Sequence, residues 1–137
     1  MNHPRIPATG TVMSLTALRV TELPRSVEFY IAGAGFERDR EFSTDSFDAV
    51  ILRAGNAGIE LIRMRDGQGV VEHGTMLEKL VLNSADAAGL VERMIAHGGT
   101  ELLAPSVIEK YQMVIGKVRD PDGYVIEVAG PVTVSGT

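Results

Sequence analysis

Two glutamates stand in matching settings, Glu60 in Gly58-Ile59-Glu60-Leu61-Ile62 and Glu127 in Val125-Ile126-Glu127-Val128-Ala129. On a strand that lines a cavity, such a carboxylate can take a proton from a bound molecule, ligate a cation or pair with an ammonium. Alternation alone sets each glutamate opposite its apolar neighbours, so a place in solvent is the plain alternative. Upstream of each lies a strand-like run, and Leu15 precedes Glu60 by nearly the interval at which Lys79 precedes Glu127. An internal repeat of this kind brings the two glutamates to equivalent places about a pseudo-twofold axis. The chemistry within reach is proton abstraction by Glu60 or Glu127, with Lys79 holding an anion or stabilising an oxyanion. A Lys79 that is merely solvated or salt-bridged is the competing reading. The chain has no cysteine, which excludes disulfides, thiolate metal sites and cysteine nucleophiles. Its histidines are His3 in a tail, His73 in a connector and His97 at a helix end, where an imidazole suits the helix dipole.

Strands must hold these side chains, and the sequence supplies them twice. Met13 to Val20 is apolar and short enough for a strand. Leu23-Pro24-Arg25-Ser26 opens a helix, with proline in the first turn where its missing N–H costs nothing. Val27, Tyr30 and Ile31 share one face of that helix, and Gly33 and Gly35 end it. Strands are expected over 36–42, 47–53 and 58–64, separated by Ser/Thr/Asp and Gly-Asn-Ala-Gly turns. The second half repeats the order, with a strand over 77–83 and a helix from its N-cap Asp86 to His97. Strands over 100–103, 114–119 and 124–129 complete it, the last two joined by Asp120-Pro121-Asp122-Gly123, a structural turn. The expected fold is α+β, two βαβββ modules whose curved mixed sheets surround a cavity, the usual form of a small-molecule site. Module one covers 13–65 and module two 76–130, joined within one domain by a linker over 66–75, with flexible tails over 1–12 and 131–137. Tyr111 and Gln112, on the polar segment 104–113, are placed to line or cap the cavity.

A chain of 137 residues with 45% hydrophobic and 23% charged residues suits one soluble domain. The net charge of −5 is spread along the chain, which speaks against nucleic acid or an anionic membrane as partner. The first ten residues lack the apolar core of a signal peptide and no run approaches membrane-spanning length, so a cytoplasmic protein is expected.

Leu18-Arg19-Val20, Ser26-Val27-Glu28-Phe29-Tyr30, Gly35-Phe36, Ile59-Glu60-Leu61, Gly98-Gly99 and Asp120-Pro121-Asp122-Gly123-Tyr124 with Ile126-Glu127-Val128 form an ordered set. It resembles the vicinal oxygen chelate superfamily, which takes in glyoxalases, bleomycin-resistance proteins and dioxygenases, and it runs from Leu15 to Ala129. The resemblance implies a homodimer and a cavity floor that often carries a divalent metal. In glyoxalase-like and epimerase members one His, Gln or Glu from each first and each last strand binds that metal. Glu60 and Glu127 match the last-strand positions, whereas Leu15 and Lys79 match the first-strand ones. Leucine cannot coordinate, lysine can only as the neutral amine, and two carboxylates alone suit zinc or nickel poorly. The resemblance therefore implies no cofactor here, with the Lys79 ammonium as counter-charge between Glu60 and Glu127. It also gives Arg19, on the strand face of Leu15 and Ala17, the part of an arginine that meets a substrate carboxylate in glyoxalase I relatives. A surface arginine is the alternative.

Three functions compete on these grounds. The first is a metal-free protein that binds an organic small molecule in its cavity. The second is an enzyme of lyase, isomerase or epimerase type using Glu60, Glu127 and Lys79; against it, a base works best where ionisation is resisted, and a close ammonium does the opposite. The third is a metal-dependent lyase, epimerase or dioxygenase, with divalent metal as cofactor and His73 entering from a shifted strand.

Overall fold

The computed structural model describes residues 6, 8, 10–67 and 71–132. The elements follow the repeat: β1 (Leu15–Arg19), α1 (Leu23–Glu28) running into a π-helical turn (Phe29–Gly33), then β2 (Glu37–Ser43), β3 (Phe47–Ala54) and β4 (Ala57–Met64). After the connector come β5 (Leu80–Asn83), α2 (Ala87–Ala96), β6 (Thr100–Ile108), a 3-10 turn (Glu109–Tyr111), β7 (Met113–Arg119) and β8 (Val125–Pro131). The two sheets have the same order, β1-β4-β3-β2 and β5-β8-β7-β6. In each the first strand pairs parallel with the last, and the other pairings are antiparallel, so both sheets are mixed.

Three boundaries differ from the sequence expectation. The strand expected from Leu77 begins at Leu80, because its partner β8 begins only after the Asp120–Gly123 turn and offers no ladder further back. Lys79 therefore stands just before β5. The segment 104–108, read as part of a polar loop, continues β6 across two bulges. Pro105 is tolerated there because β6 is an edge strand, where a missing N–H is no loss to the sheet. Finally, β8 runs to Pro131, one residue into the expected tail, and residues 133–137 lie outside those described, as does His3.

Each sheet buries one side against its helix. In β4, Ile59 and Leu61 are buried while Glu60 between them is not; in β8, Ile126 and Val128 are buried while Glu127 is only partly so. From α2, Leu90, Val91 and Met94 face inward, and Asp86 caps the helix through the N–H of Gly89 at 3.0 Å. One apolar cluster joins both modules, with Phe29, Tyr30 and Leu61 from the first and Met94, Val118 and Ile126 from the second. Packing is tight where the chain leaves α2: a Cβ on Gly99 would fall 2.6 Å from Val118 Cγ1 and 2.9 Å from the Phe29 ring, so only glycine fits there.

The Asp120–Gly123 turn does more than reverse the chain. Gly123 at φ 96° closes it by donating to the Asp120 carbonyl at 2.9 Å. Asp120 Oδ1 accepts the N–H groups of Asp122 and Tyr124, both at 2.9 Å, while Oδ2 accepts the Tyr30 hydroxyl of module one at 2.6 Å. Asp122 Oδ1 accepts from Thr21 Oγ1 at 2.7 Å and its Oδ2 from Ser26 Oγ at 3.2 Å. In return Tyr124 donates its hydroxyl to the Arg19 carbonyl at 2.8 Å. Six side chains thus clasp the two modules at one end. Burial pushes the Asp120 carboxyl above the ordinary range, against the pull of the Tyr30 hydroxyl and the two N–H groups, and burial with the neighbouring Asp120 pushes the Tyr30 phenol well up.

Candidate functional site

Alternation fixes what lies on the sheet sides turned away from the helices. In sheet one Glu60 sits between Ala17 of β1 and Ile51 of β3, on the same side as Leu15 and Arg19. In sheet two Glu127 sits between Val81 of β5 and Lys117 of β7. Lys79 reaches across the β5 end to donate to Glu127 Oε1 at 2.6 Å, with the side chains 33% and 14% exposed. This charge-assisted bond is short and partly shielded from water.

The expected bridge of Lys79 between two glutamates is only half formed. Lys79 bonds Glu127, and Glu60 makes no hydrogen bond or ion pair with any described residue. The reason is topological, since Glu60 lies on β4 of sheet one while Lys79 leads into β5 of sheet two, and the two sheets share no ladder. Leu15 is half-buried opposite Gly58.

Three recesses surround these residues. One of about 590 Å³ lies at the end of sheet two, lined by Asn83, Tyr111, Gln112, Met113, Ala129 and Pro131. Register places Asn83, Met113, Ala129 and Pro131 on the side of the sheet that carries Glu127. The corner is held by Gln112 in the left-handed region at φ 50°, its side chain donating to the Glu109 carbonyl at 2.9 Å. A second recess of about 760 Å³ runs between the modules, with Thr16, Gly58 and Ile59 on one wall and Lys79, Val81 and Asn83 on the other. The third, about 710 Å³, holds Arg19 with Arg63, Glu72 and Tyr124. The structure thus gathers Tyr111 with Gln112 and Lys79 with Glu127, and sets Arg19 in a different recess from either.

His73 does not enter a strand. Its Nε2 lies 2.8 Å from the Asp122 carbonyl oxygen and its ring stands edge-on to Tyr124 at 4.7 Å, which pins the connector to the clasp. That contact removes the reason for shifting the strand alignment to bring in a histidine. His97 Nδ1 lies 2.8 Å from Glu28 Oε2, linking the helices of the two modules. Sequence reading missed Lys117. The signal was present, because folding the last hairpin about the Asp120–Gly123 turn sets Lys117 directly across from Glu127.

Two βαβββ units with identically ordered mixed sheets define a glyoxalase-type architecture. Residues 12–128 match the Glyoxalase/Bleomycin resistance protein/Dioxygenase superfamily, and the chain belongs to it. It is 30% identical over 116 residues to a lactoylglutathione lyase of Arabidopsis thaliana, covering 80% of this chain and 41% of that one. It is also 30% identical over 117 residues to the lactoylglutathione lyase of Haemophilus influenzae, covering 82% and 87% of the two chains. Glyoxalase I of Zea mays superposes with a TM-score of 0.77 at 22% identity, over 88% of this chain and 47% of that one. The trypanothione-dependent glyoxalase I of Leishmania major gives 0.72 at 26% identity, over 88% and 87%. Against the plant proteins the chain therefore spans less than half their length.

Two of the four positions that the resemblance gives to metal ligands hold residues that do not suit that part. Leu15 has no donor to offer and the Lys79 ammonium is spent on Glu127. Among the described residues no three His, Asp or Glu side chains gather at one point. No helix among them is long and apolar enough to cross a membrane.

Proposed function

We propose that this chain is a cytoplasmic, metal-free binding member of the superfamily that holds an organic small molecule on the helix-free side of sheet two. The reading rests on one observation, the 2.6 Å bond from Lys79 to Glu127, which puts a fixed positive charge where relatives of this fold place a metal donor. The recess beside Tyr111 and Gln112, about 590 Å³, has the size of a small-molecule site. Exposed apolar side chains on both modules, among them Phe42 at 41%, Val81 at 50% and Leu103 at 43%, support a homodimer in which two such sheet sides meet.

The Arabidopsis and Haemophilus relatives are lactoylglutathione lyases, which supports a second reading, catalysis, and the bond from Lys79 to Glu127 makes it catalysis without metal. Its base is Glu60, the carboxylate free of an ammonium partner, with Glu127 and Lys79 as the polar pair opposite. Elemental analysis by mass spectrometry separates these readings from a metalloenzyme. Protein purified without chelator, offered nickel, zinc, manganese and iron and then desalted, is expected to retain none. Near-stoichiometric metal sinks the proposal. Turnover of a hemithioacetal by the metal-free protein, lost in Glu60→Gln with folding intact, would select the second reading.

A further inference from the structure

Lys117 is the residue that neither the metal-free reading nor the repeat accounts for. It lies on β7 in register with Glu127, and directly opposed residues of antiparallel strands share a sheet side. Its neighbours Gly116 and Val118 are buried toward α2, so the Lys117 side chain leaves from the opposite side, where it is half-buried. Among the described residues it makes no hydrogen bond and no ion pair.

The charge count is then uneven. Lys79 and Glu127 cancel each other, whereas Lys117 adds an ammonium without a counter-ion. Around it the register places Leu103 of β6 and, one rung along, Ile115 and Ala129. Arg119, two residues away on the same side, turns its guanidinium to the Gly123 carbonyl at 3.2 Å. A half-desolvated ammonium on an apolar floor attracts an anion far more strongly than a solvated one does.

We infer that Lys117 binds the carboxylate of a monoanionic ligand whose apolar body lies in the recess at Met113, Tyr111 and Gln112. The assignment rests on the ligand-binding reading above and narrows its substrate class. One uncompensated charge matches one negative charge, which favours a carboxylate over a phosphate dianion. The rung of Glu127 and Lys117 stands two residues, roughly 7 Å, from Ala129, which lines the recess. A carboxylate joined to a ring or a short chain spans that gap.

Isothermal titration of the full chain with phenylacetate, phenylacetamide and phenyl phosphate tests this. Phenylacetate is expected to bind at least about tenfold tighter than its amide, as a charge-assisted contact requires. Lys117→Met should erase that preference and Lys117→Arg should keep it, each variant first shown to melt as the parent does. If Lys117→Met does not fold, the acid–amide ratio of the parent protein with Lys117→Gln decides instead. Equal binding of acid and amide, or a preference that survives Lys117→Met, overturns the carboxylate site and leaves the ligand-binding reading standing. Tighter binding of phenyl phosphate overturns the monoanion assignment. Failure of all three to bind overturns both.

Discussion

Removing one oxygen from the interface between the modules, Tyr30→Phe, has a cost that the geometry sets. The Tyr30 hydroxyl donates to Asp120 Oδ2 at 2.6 Å, and the two residues are 0% and 4% exposed. The other carboxylate oxygen already serves two N–H groups, so in the variant Oδ2 loses its donor in a place water does not reach. A lost hydrogen bond to a buried charged group costs about 1.5–3 kcal/mol. Unfolding a chain of this length carries roughly 0.3 kcal/mol/K of entropy, which makes the expected fall in Tm about 5–10 °C. The sign of the pH dependence follows from Asp120, whose carboxyl is held above the ordinary range by burial and pulled back by Tyr30. Such a group binds its proton more tightly folded than unfolded, so its contribution declines as pH rises from the ordinary carboxylate range through its folded value. Losing the hydroxyl raises that folded value further and deepens the decline. Thermal melts of both proteins at acid and at mildly alkaline pH should show the smaller deficit at acid pH. Asp120→Asn, which cannot ionise, should flatten this part of the profile. A fall below about 2 °C, or a deficit indifferent to pH, refutes the view that this bond holds a buried carboxylate between the modules.

Two further perturbations probe the site and its frame. A double-mutant cycle on Lys79→Met and Glu127→Gln should give a coupling of about 1 kcal/mol, between the values of exposed and fully buried pairs, read by urea denaturation; zero coupling would mean that the pair is too well solvated to act as a fixed charge. Gly130→Ala should destabilise by about 2–3 kcal/mol, because its Cβ would be forced against the Ser84 carbonyl oxygen, a backbone atom that cannot turn aside. An unchanged melt would show that β8 and the start of α2 are not packed against each other as closely as this.

Much of the fold is legible because duplication leaves a period in the sequence. Glu60 and Glu127 each interrupt an apolar run at the same step of the last strand, and alternation then separates the buried residues from those on the other side. What stays hidden is set by partners distant in the chain. Asp120-Pro121-Asp122-Gly123 announces a turn through its residue types, yet nothing local reveals that Tyr30, Thr21 and Ser26 will bond to it from the other module. The segment 104–108 reads as polar loop for a related reason, since its place as the end of an edge strand, where Pro105 costs no ladder bond, is set by β7. Lys79 sits outside β5 because β8, not its own sequence, decides where the ladder begins.

The two halves are alike in backbone and unlike in charge, and on the ligand-binding reading that inequality orients what is bound. Around Glu60 stand Leu15, Ala17 and Ile51, so the first module offers a carboxylate among apolar side chains. Around Glu127 stand Lys79, Val81 and Lys117, so the second offers an excess of positive charge at the equivalent place. A symmetric pair of sites would bind a ligand in either sense. Here a ligand carrying one negative end is drawn to module two and repelled by Glu60, and a like-charge contact of that kind discriminates as effectively as an attractive one. On that reading, Glu60 among apolar side chains and Lys117 beside the mutually neutralised Lys79 and Glu127 supply the polarity by which the site chooses.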